Sequence, residues 1–337
     1  MPRQSFTEAL QTRPWLLADG ATGTNYFQMG LMSGDAPETW NFDHTDRVRS
    51  LHKRFIEAGA DIILTNTFGG NRHRLKLHDL QNRVRDVNVA AVKLARAEAD
   101  AAGRDVYVAG SMGPTGEIFM PVGTFPHEEG VAAFAEQAAA LKEGGADVLW
   151  IETMSSEEEL RAAVEGASSA GLPIVTTMSF DTNGRTMMGI TPSLFGSLTA
   201  SLPTQPVAIG ANCGVGASEL IATVLGITAA RPDAAVVAKG NCGIPQYHDG
   251  HIHYTGTPEL MADYARIALD AGAKIIGGCC GTSPEHLASM RKSLEGYTKG
   301  ARPSIELIEQ KLGPVSELAK GVDKAADGAA RRERRRG

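Results

Sequence analysis

The sequence predicts a single-domain (β/α)8 barrel of the TIM type, in the α/β class, on three observations. Eight short apolar runs recur at nearly constant spacing, each followed by a longer amphipathic stretch. The runs are continuous rather than alternating, as parallel strands buried on both faces require. No G-x-G-x-x-G follows the first run and no G-x-x-x-x-G-K-[ST] occurs, so doubly wound nucleotide-binding folds lack their motifs.

In order, strand 1 is expected over 16–19, ending on Asp19 within Leu17-Ala18-Asp19-Gly20-Ala21-Thr22-Gly23, and a helix over 47–58 leads to strand 2. Strand 2, 61–67, ends at Thr67 and Phe68 and precedes a helix over 80–101. Strand 3, 106–111, runs into Ser111 and then Gly113-Pro114-Thr115-Gly116, with a helix over 127–143. Strand 4, 147–153, carries Glu152 near its end and is followed by a helix over 157–170. Strand 5 covers 173–180, with a helix of weak pattern over 192–201. Strand 6, 207–213, ends in Asn212-Cys213 before a helix over 218–229. Strand 7, 234–241, ends in Asn241-Cys242 before one over 258–271. Strand 8, 274–279, ends in Cys279-Cys280 before a last helix over 284–294. Three helices close on a repeated step, Gly59-Ala60-Asp61, Gly145-Ala146-Asp147 and Gly272-Ala273-Lys274, in which Gly supplies a left-handed cap. The division is an N-terminal segment 1–14, the barrel 15–312, and a polar, disordered tail 313–337.

Composition narrows the function classes. The 337 residues are 42% hydrophobic and 21% charged with a net charge of −6, and the densest basic run, 331–336, lies in the tail, so nucleic acid is a poor partner. The first residues, with Arg3, Glu8 and Arg13, hold no apolar signal core, and no run is long enough to span a membrane. A cytoplasmic protein with no membrane partner is expected; a homo-oligomer stays open. The four cysteines, Cys213, Cys242, Cys279 and Cys280, make metal or thiol chemistry a better default than a disulfide framework in such a chain.

In a barrel, chemistry gathers at the C-terminal strand ends, where all four cysteines fall. Strands 6 and 8 flank strand 7, so Cys213, Cys279 and Cys280 can meet as a three-thiolate Zn²⁺ site with one open position. Adjacent strand residues face opposite ways, so Cys279 and Cys280 share an ion only where the backbone leaves strand geometry, which Gly277, Gly278 and Gly281 permit. The alternatives are small buried hydrophobes or a vicinal disulfide. Cys242 is a weaker candidate, and His248, His251 and His253 in the following loop weaker still. Asp19 and Glu152 end apolar strands with no cation nearby in sequence. Either a structural role claims them, as a helix N-cap or as the partner of a barrel lysine or arginine, or they await the ammonium group of an amino acid substrate.

Gly210-Ala211-Asn212-Cys213 together with Gly277-Gly278-Cys279-Cys280-Gly281-Thr282 resembles the zinc-dependent homocysteine S-methyltransferase family over residues 15–295. Asp19-Gly20-Ala21-Thr22-Gly23-Thr24, Thr65-Asn66-Thr67-Phe68, Gly113-Pro114-Thr115-Gly116, Ile151-Glu152-Thr153 and Lys239-Gly240-Asn241 add to it. The resemblance implies Zn²⁺ on Cys213, Cys279 and Cys280, Asp19 and Glu152 on the homocysteine amino group, and Gly20, Thr67 and Asn212 among the substrate-contacting positions. In whole-chain pattern, including 31–37 and 72–77, the sequence is similar to bacterial enzymes called betaine–homocysteine methyltransferases. One barrel leaves no length for cobalamin and folate modules, so an onium donor is expected: glycine betaine, giving methionine and dimethylglycine, or alternatively dimethylsulfoniopropionate or S-methylmethionine. Where the animal betaine enzymes carry tyrosines after the strand-4 glutamate and after Thr-x-Thr-Phe, this chain has Thr153 and Gly69.

A neutral thiol is a poor nucleophile at pH 7, and Zn²⁺ coordination deprotonates it. Attack on a methylated cation neutralises charge and needs no dedicated general acid, so positioning should carry the rate. Aromatic faces hold such cations at about 0.5–2 kcal/mol per ring; Trp40 and Phe68 are the expected pair, with Phe119, Phe125 and Tyr247 in reserve. A reading of another class uses the same cysteines in a zinc-storing or thiol-redox protein without turnover.

Overall fold

A computed structural model describes residues 3–248 and 251–320, without the side chains of 245–248 and 251–253. Eight parallel strands form one sheet: β1 (Leu16–Leu17), β2 (Ile62–Leu64), β3 (Tyr107–Met112), β4 (Val148–Met154), β5 (Ile174–Met178), β6 (Ala208–Cys213), β7 (Val236–Gly240) and, after a two-stranded hairpin β8 (Pro245–His248) and β9 (His251–Tyr254), β10 (Ala273–Gly278). Their order around the sheet is β1-β10-β7-β6-β5-β4-β3-β2. The ring closes where Ala18 bridges Ile62 in parallel, with the Asp19 N–H donating to the Ile62 carbonyl at 2.9 Å. This is the expected barrel.

The strands are mostly apolar on both sides because each serves two cores, polar residues entering toward their C-terminal ends. Leu16, Ile62, Leu64, Tyr107, Val148, Trp150, Val175, Val237 and Ile275 form one buried cluster. Their alternating neighbours, such as Leu17, Ile63, Val108, Leu149 and Ile276, belong to a second cluster that includes the helices. Within the expected N-terminal segment 1–14, residues 6–10 are part of this packing. Helix Phe6–Thr12, started by a Ser5–Glu8 capping box, adds Phe6, Ala9 and Leu10 to the first cluster, with Phe6 edge-on to Tyr107 at 5.6 Å.

The expected helices all form, including the weakly patterned one, Pro192–Ser201, whose Thr191 side chain caps the Leu194 N–H. The repeated glycine steps are left-handed, with φ of 103°, 98° and 104° at Gly59, Gly145 and Gly272. They aim the next residue at the N-terminal end of the barrel. There Asp61 meets Arg13, Arg104 and Arg291 at 3.1–3.4 Å, and Asp147 meets Arg3 at 2.5 Å and Arg96 at 2.7 Å.

Two boundaries move for visible reasons. Strand 2 stops at Leu64 because the chain turns, the Thr67 N–H bonding to the Thr65 carbonyl and the Gly70 N–H to that of Thr67. At the other terminus, Val315 is buried, the Ser316 N–H reaches Glu219 and Ser218 donates to the Pro314 carbonyl, so 314–316 pack on helix Ala217–Ala230. The remainder of the expected tail, 321–337, lies outside the described residues. Among the described residues, no helix is long and apolar enough to cross a membrane.

Candidate active site

Three sulfurs converge at the C-terminal end of the barrel. Cys213 Sγ lies 3.3 Å from Cys279 Sγ and 3.7 Å from Cys280 Sγ, and all three atoms fall within 4.8 Å of one another. Tetrahedral Zn²⁺ with Zn–S bonds of about 2.3 Å needs sulfurs about 3.8 Å apart, so this donor set fits the ion that the sequence implies. β10 stops at Gly278, and Cys279-Cys280 turns off the strand, the Cys279 N–H reaching the Gly240 carbonyl at 2.7 Å. Gly278 has to be glycine: a Cβ there would stand 2.3 Å from the Thr282 side chain. The contacts also share charge. Donation from Cys213 and Cys279 pulls the Cys280 thiol well below the ordinary range. Cys242 is buried outside this group, its thiol pushed up to about 12 by desolvation.

Two strand ends hold the cluster in a costly backbone. Cys213 and Thr153 have φ of 60° and 63°, where a side chain is sterically disfavoured. Asn212 ties them together. Its Oδ1 accepts from the Thr153 N–H at 2.9 Å and Thr177 Oγ1 at 2.6 Å, while its Nδ2 donates to Thr153 Oγ1 at 2.8 Å and reaches Cys279 Sγ at 3.9 Å. Asn212 is fully buried, so it braces the sulfurs from behind.

Beside the sulfurs lies a buried trio of charged groups. Lys239 Nζ donates to Asp19 Oδ1 at 2.9 Å and to the Asp19 carbonyl at 3.1 Å; Asp19 Oδ2 takes the Leu64 N–H at 2.7 Å. Asp19 therefore has the barrel cation foreseen as one of its two options, and its carboxylate oxygens are both engaged. Glu152 accepts from Ser111 Oγ at 2.5 Å, and its ion-pair partners number none among the described residues. Burial pushes its carboxyl up to about 7, against the pull of Lys239 and of the Ser111 bond. Ser111 is aimed by its neighbours: its N–H bonds Thr65 Oγ1, and Thr67 Oγ1 donates to its carbonyl at 2.7 Å. Thr67, fully buried, is such a brace and does not line the cavity.

The sulfurs, Glu152 and Lys239 open into one cavity of about 520 Å³, which Gly20 also lines. Gly20 lets the chain pass close, since a Cβ there would meet the Thr282 carbonyl at 2.6 Å. Phe68, 41% exposed, and Phe27 stand in the cavity wall. Trp40 does not, which corrects its expected place at the donor. It is 4% exposed and packed on Tyr26 at 5.0 Å, because the short helix Trp40–Asp43 turns Trp40 and Asn41 inward and leaves Phe42 outside. Phe119 and Phe125 pair with each other at 5.0 Å in a separate cluster with Ala162. The side chains of Tyr247, His248, His251 and His253 lie outside the described residues.

Sequence reasoning missed Lys239 as a site residue, although a lysine inside Val-Val-Ala-Lys-Gly is itself a signal, since charge in a buried strand demands a partner. It also missed Tyr254, at the end of β9, which hydrogen-bonds Cys280 and lines the cavity. Glu38 and Arg74, in the loops after β1 and β2, line its outer part.

Residues 16–294 match the family model described as homocysteine S-methyltransferase. Among curated proteins, the chain is 30% identical over 307 residues to methionine synthase of Mycobacterium tuberculosis and 30% identical over 305 residues to that of Mycobacterium leprae. These alignments cover 85% and 86% of this chain but 25% of each relative, so the chain spans about a quarter of their length. Among solved structures, the Escherichia coli homocysteine methyltransferase MmuM shares the fold. Its oxidized form gives a TM-score of 0.72 at 23% identity and its metallated form 0.71 at 24%, each over 84% of this chain and 97% of that one. The chain belongs to the homocysteine S-methyltransferase family.

Proposed function

We propose that this member of the family transfers a methyl group from an onium donor to the sulfur of homocysteine, with glycine betaine as donor and methionine and dimethylglycine as products. One observation supports it above the others: three metal-ready sulfurs and an acid without an ion pair open side by side into one cavity. Cys213, Cys279 and Cys280 would hold Zn²⁺, which when bound supplies an open position and keeps an incoming thiol deprotonated at neutral pH.

The chain's own residues bind and orient. Glu152, fixed by Ser111, is the carboxylate that meets the homocysteine ammonium; gaining that cation offsets the desolvation that otherwise favours its neutral form. Asp19 acts through Lys239, holding the ammonium of that side chain at the cavity wall, where it balances Glu152 and the sulfurs. Asn212 and Thr67 keep the two rims in register, and Phe68 offers an aromatic face to the donor cation. Loss of the donor's positive charge on methyl transfer leaves a neutral amine or sulfide, so the residues have no proton to deliver. Unpaired thiols suit a reducing compartment, and we place the enzyme in the cytoplasm.

The test is a donor panel on one zinc-loaded preparation: homocysteine with glycine betaine, dimethylsulfoniopropionate or S-methylmethionine, assayed for methionine. The expected result is zinc-dependent methionine, fastest with glycine betaine. Tight zinc binding with no methionine from any donor would instead favour a zinc-storing or redox protein.

A further inference from the structure

The outer half of the cavity holds two charges that the reading above does not use. Glu38 is only 5% exposed, yet no basic side chain forms an ion pair with it among the described residues; its carboxylate accepts the Gly69 N–H at 2.7 Å and its own backbone N–H, and Arg74 and His78 act on it only through space. Arg74 is exposed, and its guanidinium has neither hydrogen bond nor ion pair among the described residues, though its backbone N–H is capped by Asn71 at 3.0 Å. Both side chains line the same cavity as the sulfurs. A buried carboxylate without a cation is costly, and an unpaired arginine beside it leaves the natural partner of each facing the other across open space.

Two glycines clear that space. A Cβ at Gly69 would stand 2.8 Å from Glu38 Oε1, and one at Gly116, where φ is +83°, would stand 3.4 Å from Arg74 Nη1. Any side chain at 69 would displace the carboxylate, and one at 116 would strain the backbone and lie in contact with the guanidinium. Asp35, also in the wall, is committed to the Met32 N–H, and His78 is an exposed neighbour.

We propose that Glu38 and Arg74 form a charge-reading subsite that selects a zwitterionic donor, Glu38 facing its methylated cation and Arg74 its carboxylate. The inference rests on the methyl-transfer reading, whose donors are all onium carboxylates, and assigns to these two residues the discrimination of such donors from simple onium cations. Arg74 contributes most of the selectivity, since a guanidinium grips a carboxylate through paired N–H donors, whereas Glu38 acts on a diffuse cation. Both are specificity residues, not bond-making ones.

The experiment is equilibrium titration of zinc-loaded protein with three probes of one shape: glycine betaine (both charges), choline (cation alone) and 3,3-dimethylbutanoate (carboxylate alone). Wild type should bind glycine betaine tightest. Arg74→Gln should weaken glycine betaine about 30-fold and leave choline within about twofold. Glu38→Gln, which keeps an acceptor for the Gly69 N–H, should weaken glycine betaine about tenfold and tighten 3,3-dimethylbutanoate. Equal binding of glycine betaine by wild type and Arg74→Gln, or equal loss of choline and glycine betaine, would overturn the proposal. Arg74 is exposed, so its variant stays decisive even where Glu38→Gln unfolds. The titration needs no turnover: a protein that makes no methionine sinks the proposed reaction, while the probe series still decides the subsite.

Discussion

At the N-terminal end of the barrel, Asp61 is met by three arginines and the Leu17 N–H, and Asp147 by two arginines and the Val108 N–H. At the C-terminal end, Glu152 has a single hydroxyl, Glu38 two backbone N–H groups and no ion pair, and Arg74 no side-chain partner among the described residues. Both ends are rich in charge, but one is saturated and the other is not. Saturated acids fix the closing helix Phe6–Thr12 and the strand starts, which is work for stability. Acids left short of cations at the rim hold their unmet electrostatic demand for a ligand. Backbone strain divides the same way: the two strand-end residues with left-handed φ, Thr153 and Cys213, are both at the rim.

That contrast can be broken by substitution. The largest effect is expected from Cys279→Ala, which should cost at least about 1,000-fold in methyl transfer and abolish tight zinc binding while the barrel stays folded, as measured by metal analysis and circular dichroism; an active, zinc-free variant would remove the metal site from the account. Next, Glu152→Gln should raise the KM for homocysteine about 30-fold with zinc content unchanged, and parallel loss of metal and substrate would show that it acts on the cluster instead. At the saturated end the loss falls on stability instead of binding: Asp61→Asn should lower unfolding free energy by about 2–3 kcal/mol in denaturant titration and leave KM untouched, because it strands three arginines without altering the rim.

The smallest effect comes from a group at neither end. His52, in the helix Thr45–Glu57, is buried, its Nε2 has no hydrogen-bond partner among the described residues, and desolvation lowers its pKa from an ordinary 6.5 to about 4. A depressed histidine stays neutral when folded and takes a proton when unfolded. Its contribution is therefore complete above pH 6.5 and is lost as pH falls toward 4. At pH 5.5 the loss should be about 1 kcal/mol, and His52→Leu should flatten that part of the stability profile. A histidine that proved saturated by an unseen partner would show no such step.

Much of this was legible from residue order alone, for reasons that explain what was not. The barrel showed because both faces of each strand are buried, leaving continuous apolar runs, three of which start after a helix-closing glycine step. The thiol site showed because Gly-Gly-Cys-Cys-Gly is a local pattern, and the backbone does leave the strand after Gly278 as that pattern requires. Lys239 and Asp19 are separated by 220 positions, so no window of sequence contains their ion pair. Trp40 misled because its neighbours Asn41, Asp43 and Glu38 are polar, which marks a loop but not the direction an indole takes within it. Thr67 and Asn212 sit at rim positions in the right segments yet spend their hydrogen bonds on other strand ends, a distinction that only tertiary geometry draws.

The central claim is that three sulfurs make one metal site with room for a fourth from the substrate. Zinc-edge X-ray absorption on the purified protein, before and after homocysteine is added, tests it most directly. Three sulfurs at about 2.3 Å are expected, rising to four with homocysteine. A metal shell with fewer protein sulfurs, or one that homocysteine leaves unchanged, would contradict it.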